Sequence, residues 1–194
     1  MLSLSETIMH KKGWHNWYHC MASTYGTWLP GDNRGWHERN HHEHVPGDYK
    51  NPPKPSKFSQ GLWKHSKDMM SYEPFTISAA QRITIGEWLL ESFHHQHVTL
   101  AALAVAETNF HALLRYTGEN CKTMLGRAKA HATIQWGNLA VDYGFDRRPI
   151  WGGGSLPKPI KDEKHGHEVY QYILDHKKEG AWVWSHRPIK LSRT

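Results

Sequence analysis

The stretch VTLAALAVAETNFHALLRY, residues 98 to 116, decides the fold. Val98 to Ala106 is a near-continuous apolar run of strand length, the pattern of a central strand covered on both faces. After a short polar break at Glu107-Thr108 the chain alternates. Asn109, His111, Leu113 and Arg115 fall on one face, and Phe110, Ala112, Leu114 and Tyr116 on the other. Two strands joined by a short break make a hairpin. Residues two apart on a strand point the same way, so Asn109 and His111 project side by side, about 7 Å apart, close enough to share one cation.

On the N-terminal side, Ser78 and Gln81 form a capping box ahead of Ile83, Ile85, Trp88, Leu89 and Phe93, which predicts a helix from about Ser78 to Phe93. Further back, Tyr18, Cys20, Ala22 and Thr24 alternate with polar or exposed types within Trp17 to Leu29. That segment reads as a first strand running to the turn at Leu29-Pro30-Gly31-Asp32. From Gly31 to about Tyr72 the chain is polar and rich in Pro, His and Lys. Its Gly47-Asp48-Tyr49-Lys50-Asn51-Pro52-Pro53-Lys54-Pro55 run sustains neither a helix nor a central strand, so residues 31–72 are expected to form an extended, loop-rich insertion.

On the C-terminal side, Met124, Leu125, Ala128, Ala132, Trp136 and Leu139 recur at helical spacing, so a helix over Lys122 to Leu139 is expected to cover the sheet. A turn-rich stretch follows through Arg147-Arg148-Pro149 and Gly152-Gly153-Gly154. Asp162 then caps a last helix to about Lys178, ended by Gly180, and Ala181 to Trp184 suits a closing strand. This order predicts one α+β domain over residues 1–194, a sandwich of helices on a mainly antiparallel sheet.

Composition narrows the function. Lys and Arg outnumber Asp and Glu by 24 to 18, and a pI near 9.3 favours polyanionic partners, nucleic acid among them. No apolar run reaches the length that spans a bilayer, and the opening MLSLSETIMHKKGW lacks the pattern of a signal peptide, so no membrane partner and a cytoplasmic location are expected. Cys20 and Cys121 lack CxxC spacing and suit reduced thiols. The 17 histidines include His41-His42-Glu43-His44 and His94-His95-Gln96-His97, but neighbours in a run cannot all point at one ion, so most are read as solvated rather than as a metal store.

On the last helix, Tyr172 and His176 lie four residues apart and share a face. Val169, Tyr170, Ile173 and Leu174 form its apolar stripe, which makes Tyr170 a core residue and leaves Tyr172 with His176 on the margin. A marginal tyrosine beside a metal ligand is what phosphodiester chemistry by a phenol requires. With an ordinary pKa of about 10, the hydroxyl is a poor nucleophile unless a cation stabilises the phenolate and polarises the phosphoryl oxygen. A covalent phosphotyrosine would conserve bond energy, and no ATP-binding Walker sequence is present.

In combination these features resemble the HUH single-tyrosine transposases, especially the insertion-sequence-200-like and REP-associated branches. The resemblance runs from about Tyr18 to Trp184. It passes through Thr24-Tyr25-Gly26-Thr27-Trp28-Leu29-Pro30-Gly31, Gly47 to Pro53, Thr108-Asn109-Phe110-His111, Gly126-Arg127-Ala128-Lys129, and Tyr172 to Ala181. It implies a ferredoxin-like fold, a divalent cation such as Mg or Mn, and cleavage of single-stranded or hairpin DNA with a 5′-phosphotyrosine intermediate. It makes His111 the second histidine of the family's strand motif, Tyr172 the nucleophile and His176 a third metal ligand. Asn109 stands where the family has its first histidine, with an amide oxygen as the ligand atom.

For DNA, Lys122, Arg127, Lys129, Arg147, Arg148, Lys158 and Lys161 are the expected phosphate contacts, with Trp or Tyr rings for unpaired bases. A monomer or a homodimer suits this reading. The substitution at Asn109 motivates an alternative, a protein of the same fold that holds hairpin or single-stranded DNA without cutting it. A third reading, a His-rich metal-binding protein, predicts oligonucleotide behaviour insensitive to salt.

Overall fold

The computed structural model describes residues 13–37, 44–48, 51–144 and 147–186. The first strand, β1 (Trp17–Ser23), is followed by a two-stranded ribbon, β2 (Trp36–His37) and β3 (His44–Val45), and a helix, α1 (Lys57–Asp68). Next come α2 (Ala79–His95), β4 (Thr99–Val105), β5 (Asn109–Arg115) and α3 (Cys121–Tyr143). The chain continues through β6 (Leu156–Pro159), α4 (Glu163–Asp175), a 3-10 turn (His176–Glu179) and β7 (Trp182–Ser185).

Five strands form one sheet in the order β6-β1-β5-β4-β7, and every neighbouring pair is antiparallel. The succession β1-α2-β4-β5-α3-β6 with strand order β6-β1-β5-β4 is the ferredoxin-like βαββαβ arrangement. To it α4 and β7 are added at the β4 edge.

The two faces of the sheet carry different layers because successive side chains point to opposite sides. Cys20, Ala22, Leu103, Val105, Phe110, Ala112 and Leu114 meet α2 through Ile85, Leu89 and Phe93, and α3 through Met124, Leu125, Ala128, Ala132 and Trp136. The other face presents Trp17, Ala102, Ala104 and Leu113 to Val169 and Ile173 of α4. Alanines at 102 and 104 keep that face low, so α4 lies against β4 and β5.

The hairpin, the three long helices and the closing strand match the sequence reading, and Ser78 and Gln81 form the reciprocal capping box. Three differences have physical causes. The first strand ends at Ser23 rather than near Leu29, because the chain turns at Gly26, whose φ is 74°. A Cβ there would strike Met70 and Pro74. The turn-rich stretch holds a further strand, β6, in which Pro157 and Pro159 pair with Cys20 and Tyr18 of β1. Prolines are tolerated there because β6 is the sheet edge.

Third, the insertion over 31–72 is not all loop. Ser56, just past the proline run, accepts a hydrogen bond from the Ser59 amide and starts α1, which continues for 12 residues. Within the proline run, residues 49–50 lie outside the described residues, as do residues 41–43 of the first histidine cluster. Among the described residues no helix is long and apolar enough to cross a membrane.

Candidate active site

Two of the site's side chains come from the paired central strands. Met21 is directly opposite His111, and His19 is opposite Leu113, so the odd-numbered residues of β1 share a face with His111. His19 Nε2 lies 3.1 Å from His111 Nδ1. Both rings are buried.

The other two side chains come from α4 and its end. Asp162 caps the helix by accepting from the His165 amide at 2.8 Å. Val169 and Ile173 then bury against Ala102 and Ala104, which points Tyr172 down the flank toward β1 and β5. After Asp175 the helix tightens into the 3-10 turn that begins at His176, and Gly180 closes it with φ 81°. Tyr170 packs against the core beneath α4 as a partly buried residue, as its place in the apolar stripe predicts.

Tyr172 thus stands among three imidazoles. Its ring centroid is 4.7 Å from that of His176, 5.3 Å from His111 and 5.8 Å from His19, each edge-on. His111 and His176 stack at 4.8 Å. The three histidines are buried while Tyr172 is 41% exposed, so the phenol ring forms the outer wall of the cluster and borders solvent.

The electrostatics favour unprotonated rings on the sheet. Burial, then the charges of Lys158, His165 and His176, lowers the His19 pKa from its ordinary 6.5 to about 4. Burial, then His19 and His176, lowers that of His111 to about 3. At neutral pH both are neutral, and one of the two facing nitrogens donates its hydrogen to the lone pair of the other. His176 Nδ1 lies 3.1 Å from a Glu179 carboxylate oxygen. A carboxylate accepts only, so Nδ1 carries the hydrogen and Nε2 is the nitrogen turned away from Glu179. That Nε2 is buried without a hydrogen-bond partner.

The rings of His111, Tyr172 and His176 therefore come together. Asn109 sits opposite Ser23, one repeat along β5, and its Oδ1 is buried without a partner. The second imidazole is His19, which the sequence reading missed, as it missed Glu179. Among the described residues no group of three or more His, Cys, Asp or Glu side chains stands as a ready metal-holding set.

The seven basic residues separate. Lys158 pairs with His19 across β1 and β6 and is exposed, and exposed Lys161 leads into α4. Lys122 and Arg127 are exposed on α3, which covers the opposite face of the sheet. Arg147 donates to the Gly137 carbonyl, and Arg148 lies over the Phe75 ring at 5.0 Å. Lys129 is turned inward. Its buried ammonium donates to the carbonyls of Gly152 at 2.7 Å and Gly154 at 2.8 Å, and to Ser155 Oγ at 3.3 Å. All three of its hydrogens are engaged, so it clamps the 152–155 loop to α3 instead of facing a phosphate.

Elsewhere, His95 and His131 share the Glu91 carboxylate at 3.8 and 3.0 Å, and Cys20 and Cys121 are free thiols with sulfurs 3.8 Å apart. Fold and site together define a ferredoxin-like α+β protein with a tyrosine set among buried imidazoles. The chain matches no protein-family model, no curated protein and no solved structure.

Proposed function

We propose that this protein is a metal-dependent DNA strand-transferase of transposase type that cleaves single-stranded or hairpin DNA through Tyr172. The observation that carries the reading is the half-exposed Tyr172 ring set edge-on to three buried imidazoles, two of them kept neutral by burial.

The residues suit a divalent cation. His19 and His111, whose facing ring nitrogens lie 3.1 Å apart, would supply two nitrogen donors to it. The orphaned Nε2 of His176 would be a third donor once the rings turn toward one ion, and the Glu179 carboxylate behind its ring would be the outer partner. A set of imidazoles suits Mn better than Mg, which prefers oxygen. When bound, the cation supplies positive charge that favours the phenolate and polarises a phosphoryl oxygen.

The chain's own residues account for the rest. Tyr172 Oη attacks phosphorus, the bond from phosphorus to the 3′ oxygen breaks, and the departing oxygen takes up a proton as a 3′ hydroxyl. The 5′ phosphate stays on the tyrosine. The phenol proton passes to solvent at the exposed edge of the ring. Lys158, beside His19, supplies a cation for the incoming phosphate. Attack of a 3′ hydroxyl on the phosphotyrosine reverses the step, so rejoining needs no ATP.

The test incubates the protein with 5′- and 3′-labelled hairpin and single-stranded oligonucleotides plus Mn or Mg, beside Tyr172→Phe. A metal-dependent covalent adduct on denaturing gels, absent in Tyr172→Phe, is expected. Salt-dependent binding with no adduct would sink the catalytic reading and leave a DNA-holding protein of this fold.

A further inference from the structure

Between Asp48 and Asp68 the sequence holds five lysines, at 50, 54, 57, 64 and 67, and no carboxylate. Helix α1 occupies the second half of this run and contributes little to the core. Ser59 is its buried residue, Leu62 and Ser66 are half-buried, and the other positions are exposed. Its aromatic side chains face outward, with Phe58 54% and Trp63 40% exposed. A surface helix that needs only solubility has no use for exposed aromatic rings among lysines.

The same face borders a cavity. Between α1 and the loop after β1 lies a space of about 600 Å³ lined by Asn33, Arg34, Gln60, Trp63 and Lys64 among others. The loop is seated tightly, since a Cβ on Gly31 would strike the backbone of Ser59 and Trp63. Cations already lie over the nearby rings, Lys67 Nζ 5.2 Å from the Trp63 centroid and the Arg34 guanidinium 4.5 Å from that of Trp28. Arg34 is paired with Asp32, so the lysines of α1 supply the net positive charge. Asn33 and Gln60 are held by donating to the carbonyls of Pro53 and Pro55, which fixes polar groups in the cavity wall.

We propose that this groove seats an unpaired nucleic-acid strand, with a base stacked on Trp63 and the backbone running along Lys57, Lys64 and Lys67. The inference rests on the strand-transfer reading and extends it to a second contact outside the Tyr172 site. A flat ring recognises the face of a base only where that face is open, which excludes an intact duplex. Lys57 to Lys67 spans about 15 Å of helix, longer than one phosphate, so the groove fits a strand better than a mononucleotide. The loop that walls the groove follows β1, the strand that carries His19.

The test measures binding of fluorescent single-stranded DNA, RNA of the same sequence and duplex DNA across a salt series. The proteins compared are the parent, Trp63→Ala, Trp63→Phe and Lys64→Glu/Lys67→Glu, each first shown to melt like the parent. Trp63→Ala is expected to weaken single-strand affinity about tenfold, with recovery in Trp63→Phe. The charge reversal is expected to flatten the salt dependence by about two phosphate contacts. Loss for DNA and RNA alike supports a groove for any unpaired strand, and loss for DNA alone supports a DNA groove. Unchanged single-strand affinity in the variants, or preference for duplex, overturns the inference while leaving the Tyr172 adduct intact. An adduct that never forms despite groove-dependent binding overturns the catalytic reading instead, and a parent that binds no oligonucleotide overturns both.

Discussion

His19 Nε2 and His111 Nδ1 approach to 3.1 Å across two paired strands, although 92 residues separate them in sequence. The approach follows from register. With Met21 opposite His111, His19 is the diagonal neighbour on the same face, within reach of a ring. His19 thus sets a second imidazole beside that of His111. Mn binding followed by calorimetry is expected to weaken at least about tenfold in His19→Ala and much less in Asn109→Ala. The opposite ranking would return the ligand role to Asn109.

The same burial makes the fold sensitive to acid. His19 and His111 have folded pKa values of about 4 and about 3, against 6.5 in the unfolded chain. Well above pH 6.5 both states hold these rings neutral, and they add no pH dependence. Below it the unfolded chain takes up protons that the folded chain refuses, so stability falls as pH falls from 6.5 toward 4. Two such groups remove about 2 kcal/mol between pH 6 and pH 5. Urea midpoints with chelator present are expected to show that slope, and His19→Gln to roughly halve it. A slope unchanged by the substitution would mean that other groups carry the acid response.

What the sequence reveals of this site depends on the distance over which the information acts. The i, i+2 spacing of Asn109 and His111 and the i, i+4 spacing of Tyr172 and His176 are local and readable. His19 is invisible by that route, because its meeting with His111 depends on how β1 and β5 align, which no nearby residue states. The buried alternation of Cys20 and Ala22 marks the opposite face of β1, so His19 passes as a solvent residue. Strand β6 was hidden by its prolines, which only an edge position permits. The inward turn of Lys129 was legible in part, since it lies four residues after Leu125 and three before Ala132, at the rim of the buried stripe of α3.

Lys129 and Lys158 make opposite predictions although both are lysines near the sheet. Lys129→Gln removes a buried ammonium that holds three oxygens, so a loss of about 2 kcal/mol in denaturant unfolding is expected. The 152–155 loop is expected to open to protease, and the salt dependence of DNA binding to stay as it was. Exposed Lys158, in Lys158→Gln, is expected to leave stability intact and lower the salt slope by about one. A changed salt slope in Lys129→Gln with no loss of stability would turn that lysine outward again.

Glu179 controls which nitrogen of His176 is available. Its carboxylate oxygen lies 3.1 Å from Nδ1 and accepts that nitrogen's hydrogen, so in the neutral ring the lone pair falls on the buried Nε2. Glu179→Gln places an amide there that can donate to Nδ1, which would move the ring hydrogen to Nε2 and remove that lone pair. Glu179→Ala removes the constraint and lets both tautomers compete. Nitrogen chemical shifts of His176 are therefore expected to report a hydrogen on Nδ1 in the parent, a mixture in Glu179→Ala and a shift toward Nε2 in Glu179→Gln. Mn affinity is expected to fall in the same order. Glu179 is 75% exposed at its side chain, so neither variant disturbs the core, and a tautomer unmoved in both would show that packing against His111, not the carboxylate, orients the ring.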